Sequence, residues 1–291
     1  MATALSPLLN PLVTIQQLQA SKSSLDGVPS NVEDSVRFET CRLLQTAGTL
    51  LRVHQSTIAH AIVLLCRFWS GPNGGSMLEH DGQDVAAAAL YVAAKPSGQS
   101  IAPRLLLMVF AYLVAAGPKY DAGLHGNAAP VVWSLTEGQY ESRRARLYAT
   151  ETHLLSVLCF NIHAALPYTV CINYMQALDV LKSSHGTLLA RRAFQHLNTA
   201  LISPQLLYLT YQPTALATAA IYLAAREIQV KLPETEWWEV FDLDREDLGF
   251  LVVAFQSMEG FVREESERWQ QNVSLLTASD VKAAIDSMSA T

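Results

Sequence analysis

Apolar side chains recur along most of this chain at the three-to-four-residue spacing of helices, and no alternating stretch of strand length interrupts them. Ser30 followed by Glu33 has the spacing of a capping box and predicts a helix start there. Val36, Leu43, Leu44, Ala47, Leu50 and Leu51 then line one stripe. A second helix is expected from about Ser56, with Ile58, Ile62, Leu65, Cys66 and Trp69 on one face, and GPNGG at 71–75 ends it. A third, alanine-rich helix runs to Lys95 before Pro96, and a fourth runs from about Pro103 to Ala115. Gly117 to about Thr136 is too long for an ordinary connection and reads as a contact loop. A fifth helix follows from about Glu137 to Cys159. Pro167 opens a second set at about 167–183, 188–204, 213–229, 235–241 and 245–270. Residues 1–28 and the small, polar residues 272–291 carry little pattern, and the latter are expected to be weakly ordered.

The third helix of each set holds the organising signal. AAAALYVAAK, Ala86 to Lys95, returns as ATAAIYLAAR, Ala217 to Arg226, with six of ten positions identical and a base closing both copies. A repeat at this offset says that one folding unit was built twice. Alanine is the best helix former and lets neighbouring helices approach closely. Each copy is therefore expected at the centre of a bundle, and the fold class is all-α: two five-helix repeats.

Composition and candidate chemistry change the picture further. Half of the 291 residues are hydrophobic and 16% are charged, against about a quarter in ordinary domains; the excess suits a chain with a large contact surface. A net charge of −6 argues against direct nucleic-acid binding. The longest apolar run, Leu105 to Ala116, is too short to span a bilayer, and an N-terminus without a basic region, carrying Pro7 and Pro11, argues against a secretory signal. Cys41, Cys66, Cys159 and Cys171 lack the paired spacing of a disulfide framework or a zinc site and read as reduced thiols. The histidines show no i, i+4 pair with a third ligand, and no glycine-rich loop joins a strand to a helix, so neither metal nor nucleotide cofactor is expected. Arg143, Arg144, Arg146, Arg191 and Arg192 could receive a phosphate, although solvated helix faces explain them more simply.

Several motifs carry a family resemblance. Leu43-x-Gln45-x-Ala47-Gly48-x-Leu50-Leu51-Arg52, followed by Arg67-Phe68, resembles the first two helices of the transcriptional cyclins. Gln212-Pro213, Ile221 to Arg226, Gln229 and Leu232-Pro233 resemble the second box of the cyclin L group, and Trp237-Trp238-Glu239-x-Phe241 is similar to the short fourth helix of that box in cyclins K, T and L. The resemblance covers about residues 25 to 270. It implies tandem cyclin boxes at 29–163 and 164–271, flanked by a leader, 1–28, and a tail, 272–291. It also implies a cyclin-dependent kinase as the partner in a heterodimer, a nuclear location, and no chemistry in the chain itself: a cyclin presses the kinase C-helix inward and orders its activation loop.

Residue by residue, the resemblance places Lys95 as the kinase-facing lysine and Glu151 as its acidic partner, counted back from Leu158-Cys159-Phe160-Asn161-Ile162. Glu151, Leu155, Leu158 and Ile162 are spaced to share one helix face, and an acid heading an aliphatic stripe suits a surface that receives another protein's helix. Lys95, Glu151, Leu155 and Ile162 are the expected kinase-binding residues. The chain departs from the family after Lys95, where Pro96, Ser97, Gly98 and Gln99 stand in place of an apolar residue and acids. Two other function classes compete. One is a scaffold or basal-transcription-factor-like double cyclin fold without kinase activation, for which a basic surface is missing. The other is an enzyme, for which no convergent nucleophile, acid/base pair or metal ligands appear.

Overall fold

The computed structural model describes residues 8–117, 134–270 and 274–289, and every regular element among them is helical. Most of the 117–136 stretch read as a contact loop lies outside the described residues. The chain divides into two compact units, the described residues of 13–162 with 263–291, and those of 1–12 with 163–262.

The first unit holds α1 (Ile15–Gln19), α2 (Lys22–Leu25), α3 (Ser30–Leu50), α4 (Gln55–Phe68), α5 (Gly82–Ala94), α6 (Pro103–Ala116) and α7 (Glu137–Val157). The alanine-rich α5 is central, packed by α3, α4, α6 and α7. Val85 to Leu90, Ala93 and Ala94 are all buried. A helix buried nearly all round needs small side chains, because every neighbour then reaches its backbone. The α3–α4 contact is equally close: a Cβ at Gly48 would lie 2.6 Å from Ile58 Cγ1. Cys41 on α3 and Cys66 on α4, distant in sequence, meet in this core as free thiols with sulfurs 4.0 Å apart.

The second unit holds α8 (Pro167–Ala177), α9 (Gly186–Leu201), the short α10 (Leu207–Thr210), α11 (Pro213–Glu227) and a 3-10 turn, Glu239–Phe241. Its alanine-rich α11 packs against α8, α9, α10 and that turn, with Ala217, Ala219, Ala220 and Ala224 fully buried. The long α12 (Arg245–Gln270) contributes its residues 245–262 to this unit.

Three expectations change. Ser30 begins α3 but does not cap it: Pro29 is the N-cap and makes no side-chain bond. Glu33 instead accepts a hydrogen bond from Ser21 Oγ at 2.9 Å and pairs with Arg37 at 3.2 Å. The polar C-terminal stretch is not a weakly ordered tail. It forms α13 (Ala278–Ser289), preceded by buried Leu275 and Leu276. Glu39 holds it by accepting from Ser274 Oγ at 2.9 Å and from Leu275 N–H at 2.8 Å. Asp81, the N-cap of α5, uses its carboxylate to accept Ala278 N–H at 2.9 Å rather than to cap its own helix. The leader is also engaged: Asn10 exchanges two 2.8 Å bonds with the Ala165 backbone, and its own backbone is bonded by Gln212, the N-cap of α11.

Candidate functional site

The site begins with how two helices end. α5 stops at Ala94 because Pro96 cannot continue it, which leaves Lys95 as its C-cap. The Pro96–Gln99 stretch folds back as a turn: Ser97 Oγ donates to Ala94 O at 2.9 Å, Gly98 takes φ +74°, and Gln99 Oε1 accepts His54 N–H at the start of α4. Residues that depart from the family thus satisfy two helix termini. α7 starts with a complete capping box between Thr136 and Gln139, so the register that carries Glu151 is set locally.

These two helices bring Lys95 and Glu151 together as an ion pair. The lysine side chain is 48% exposed and the glutamate 12%. The ammonium also lies 4.3 Å from the centre of the Tyr91 ring, a cation–π distance, and the Tyr91 ring lies 6.3 Å from that of Tyr148. Burial pushes the Tyr91 hydroxyl above its ordinary range, against the opposing pull of Lys95. An ion pair this exposed on its cationic side contributes at most about 1 kcal/mol to folding. Stability alone is a weak reason for it.

One turn beyond Glu151, Leu155 is half-buried, whereas its neighbour Leu154 is the residue that enters the core. The expected stripe breaks at its far end. α7 ends at Val157, Leu158 is its C-cap, and Cys159 and Phe160 both adopt positive φ, 49° and 58°. Ile162 is therefore not on the helix. It lies in the following segment, where its carbonyl accepts from His60 Nε2 on α4 at 2.5 Å. The reversal instead turns Phe160 outward, 72% exposed, on the same unit as Tyr148 at 43%. Sequence reasoning missed Tyr91 and Tyr148 beside this ion pair. Tyr91 was findable, because the repeat preserves a tyrosine four residues before the closing base in both copies.

The arginines weighed as phosphate receivers are largely occupied. Arg144 pairs with Glu141 at 2.7 Å, Arg146 with Asp84 at 3.4 Å, and Arg192 with Glu227. Among the described residues no group of three or more His, Cys, Asp or Glu side chains is placed to hold a metal ion. None of the described helices is long and apolar enough to cross a membrane.

No family model matches the chain. Its sequence is 26% identical to cyclin-L1 of Danio rerio over 265 residues, 91% of this chain and 50% of that protein. It is 27% identical to cyclin-L2 of Homo sapiens over 240 residues, 82% of this chain and 43% of that protein. The chain thus spans about half the length of the curated relatives it matches. In fold it is similar to a chain of the yeast RNA Pol II CTD kinase CTDK-1 complex, with a TM-score of 0.64 and 13% identity, covering 85% of this chain and 72% of that one. In sequence the chain resembles cyclins L1 and L2, and in its all-α fold, with an alanine-rich helix central to each of two units, it is similar to a chain of that kinase complex.

Proposed function

We propose that this chain is a regulatory cyclin subunit that binds and activates a transcription- or splicing-associated cyclin-dependent kinase, using boxes at 29–163 and 164–271. One observation carries the reading: Lys95 and Glu151, distant in sequence, meet at the exposed junction of α5 and α7 beside Leu155. A pair worth so little to folding acquires value when a partner covers it, because desolvation strengthens charge pairing and makes register costly to violate. Lys95, Glu151 and Leu155 form the centre of the contact, Ile162 shapes its edge through the backbone bond to His60, and Phe160 adds the exposed aromatic surface. Aromatic anchors beside a charged pair are the usual energetic centre of such interfaces. The chain supplies no catalytic group of its own; it positions the kinase C-helix, on which the Lys–Glu pair of phosphoryl transfer depends. On this reading the chain works in the nucleus.

A scaffold that binds without activating is the second reading, favoured by the Pro96–Gln99 turn, which brings no carboxylate to this end of the face. The experiment is affinity purification of the chain with mass-spectrometric identification of its partners, followed by assay of the co-purified kinase with and without the chain. Stoichiometric kinase whose activity rises at least tenfold with the chain supports the proposal. Kinase bound but not stimulated selects the scaffold, and no kinase at all overturns both.

A further inference from the structure

The second unit carries a groove that this reading does not use. It lies between α11 and the start of α12, holds about 560 Å³, and is lined in part by Tyr222, Arg226, Trp238, Arg245, Gly249 and Val253. We propose that it binds a short segment of a partner protein carrying a carboxylate close to an aliphatic side chain.

Arg226 closes the second copy of the repeat as Lys95 closes the first, and its guanidinium lies over the Tyr222 ring at 5.8 Å. Among the described residues no carboxylate is within ion-pair distance of Arg226 or Arg245, whereas Lys95 has Glu151. Of the two acids on the same groove, Glu234 is already paired with Lys231 at 3.0 Å. Two exposed cations without an internal ion pair at one groove can receive a carboxylate from outside.

The remaining features narrow the ligand to a polypeptide. Val253 is 64% exposed on the groove wall, and Phe250, one turn away, is 50% exposed. Apolar side chains presented together like this mark a contact surface. A Cβ added at Gly249 would meet nothing within 4 Å, so the wall is open there and free to take a side chain. Nucleic acid fits poorly, because a run of phosphates would meet Glu234 and Glu236 as well as the arginines, whereas one carboxylate need meet only the arginines.

The test uses the full chain and phage-displayed random dodecapeptides. Selection is expected to enrich peptides with Asp or Glu within a few residues of Leu, Ile or Val, and fluorescence anisotropy then measures an enriched peptide against variants. Arg226→Glu should weaken binding at least tenfold, and the same peptide with its acid changed to Lys should recover binding to that variant. Gly249→Leu fills the open wall and should abolish binding while raising the melting temperature, since glycine inside a helix destabilises it. Lys95→Ala should leave peptide binding unchanged, which separates this groove from the face on the first unit. No enrichment, peptides without acids, or affinities indifferent to both Arg226→Glu and Gly249→Leu would overturn the proposal. Self-association of the chain that is lost in Gly249→Leu would overturn it in favour of a second copy as occupant.

Discussion

The two alanine-rich helices are copies of one element, and their ends differ in one respect. Tyr91 and Lys95 are met by Glu151, which neutralises the cation within the chain. Tyr222 and Arg226 keep the aromatic–cation stack, but α12 brings Val252, Val253 and Gln256 to the groove instead of an acid paired with the arginine. The comparison teaches that the repeat keeps what the bundle needs, small residues at its centre, and diverges at the rim, where we place the partner contacts. A paired charge beside half-buried leucine offers register to a helix. A cation without an internal partner beside a groove offers a place for a foreign carboxylate.

The most severe way to test this asymmetry is Leu155→Asp. A new charge in the apolar part of the first face should abolish kinase binding in titration calorimetry, because burying an unpaired carboxylate is far costlier than losing a contact. Its thermal melt should stay near that of wild type, since Leu155 is only half-buried. Arg226→Glu, at the corresponding place in the second unit, should leave kinase affinity unchanged; equal losses from both variants would erase the distinction between the units. Glu151→Ala should weaken the kinase by about 2–5 kcal/mol if its partner charge is left desolvated. Lys95→Ala should cost less, because its side chain remains 48% exposed in the free chain.

Ala89→Leu and Ala220→Leu sharpen the shared part of the comparison. Both positions are fully buried in the central helices, and overpacking each should cost about 1–3 kcal/mol in urea unfolding. Unequal costs would mean that only one of the two helices is truly central.

The smallest effect is on pH. Burial raises the Glu39 carboxyl above its ordinary range, against its bonds from Leu275 and Ser274. Its folded pKa therefore exceeds the unfolded one, so its contribution to stability is complete below the unfolded value and is lost as pH rises through the folded value. His196, on the second unit, is shifted down by burial, against the pull of Glu227. Its contribution is present above the unfolded histidine value and is lost as pH falls through the folded one. The stability of wild type relative to Glu39→Gln should accordingly rise as pH is lowered from 7 toward 5, and that relative to His196→Gln should fall, both read by urea unfolding.

Much of this was legible in the sequence. The repeat announced the two central helices, and helical spacing placed α3 to α7 to within a few residues. Lys95 and Glu151 were found through motif positions, and their meeting is a tertiary fact to which the resemblance pointed. What escaped depends on long-range partners. Nothing local says that Asp81 holds residue 278 rather than capping α5, or that Glu39 anchors Leu275. The C-terminal helix did leave a trace, because Thr277 and Asp280 have capping spacing and bond each other in the structure. Ile162 was misplaced because a periodic stripe was extended through Cys159 and Phe160, where two positive φ angles end the helix.

Hydroxyl-radical footprinting of the purified chain alone and bound to its co-purifying kinase tests the central claim most directly, because it reads side-chain exposure one residue at a time. The account predicts that Tyr148, Leu155 and Phe160 become protected in the complex while Val253, 64% exposed in the free chain, reacts as before. Protection of Val253 and Trp238 with no change at Tyr148, Leu155 and Phe160 would contradict it.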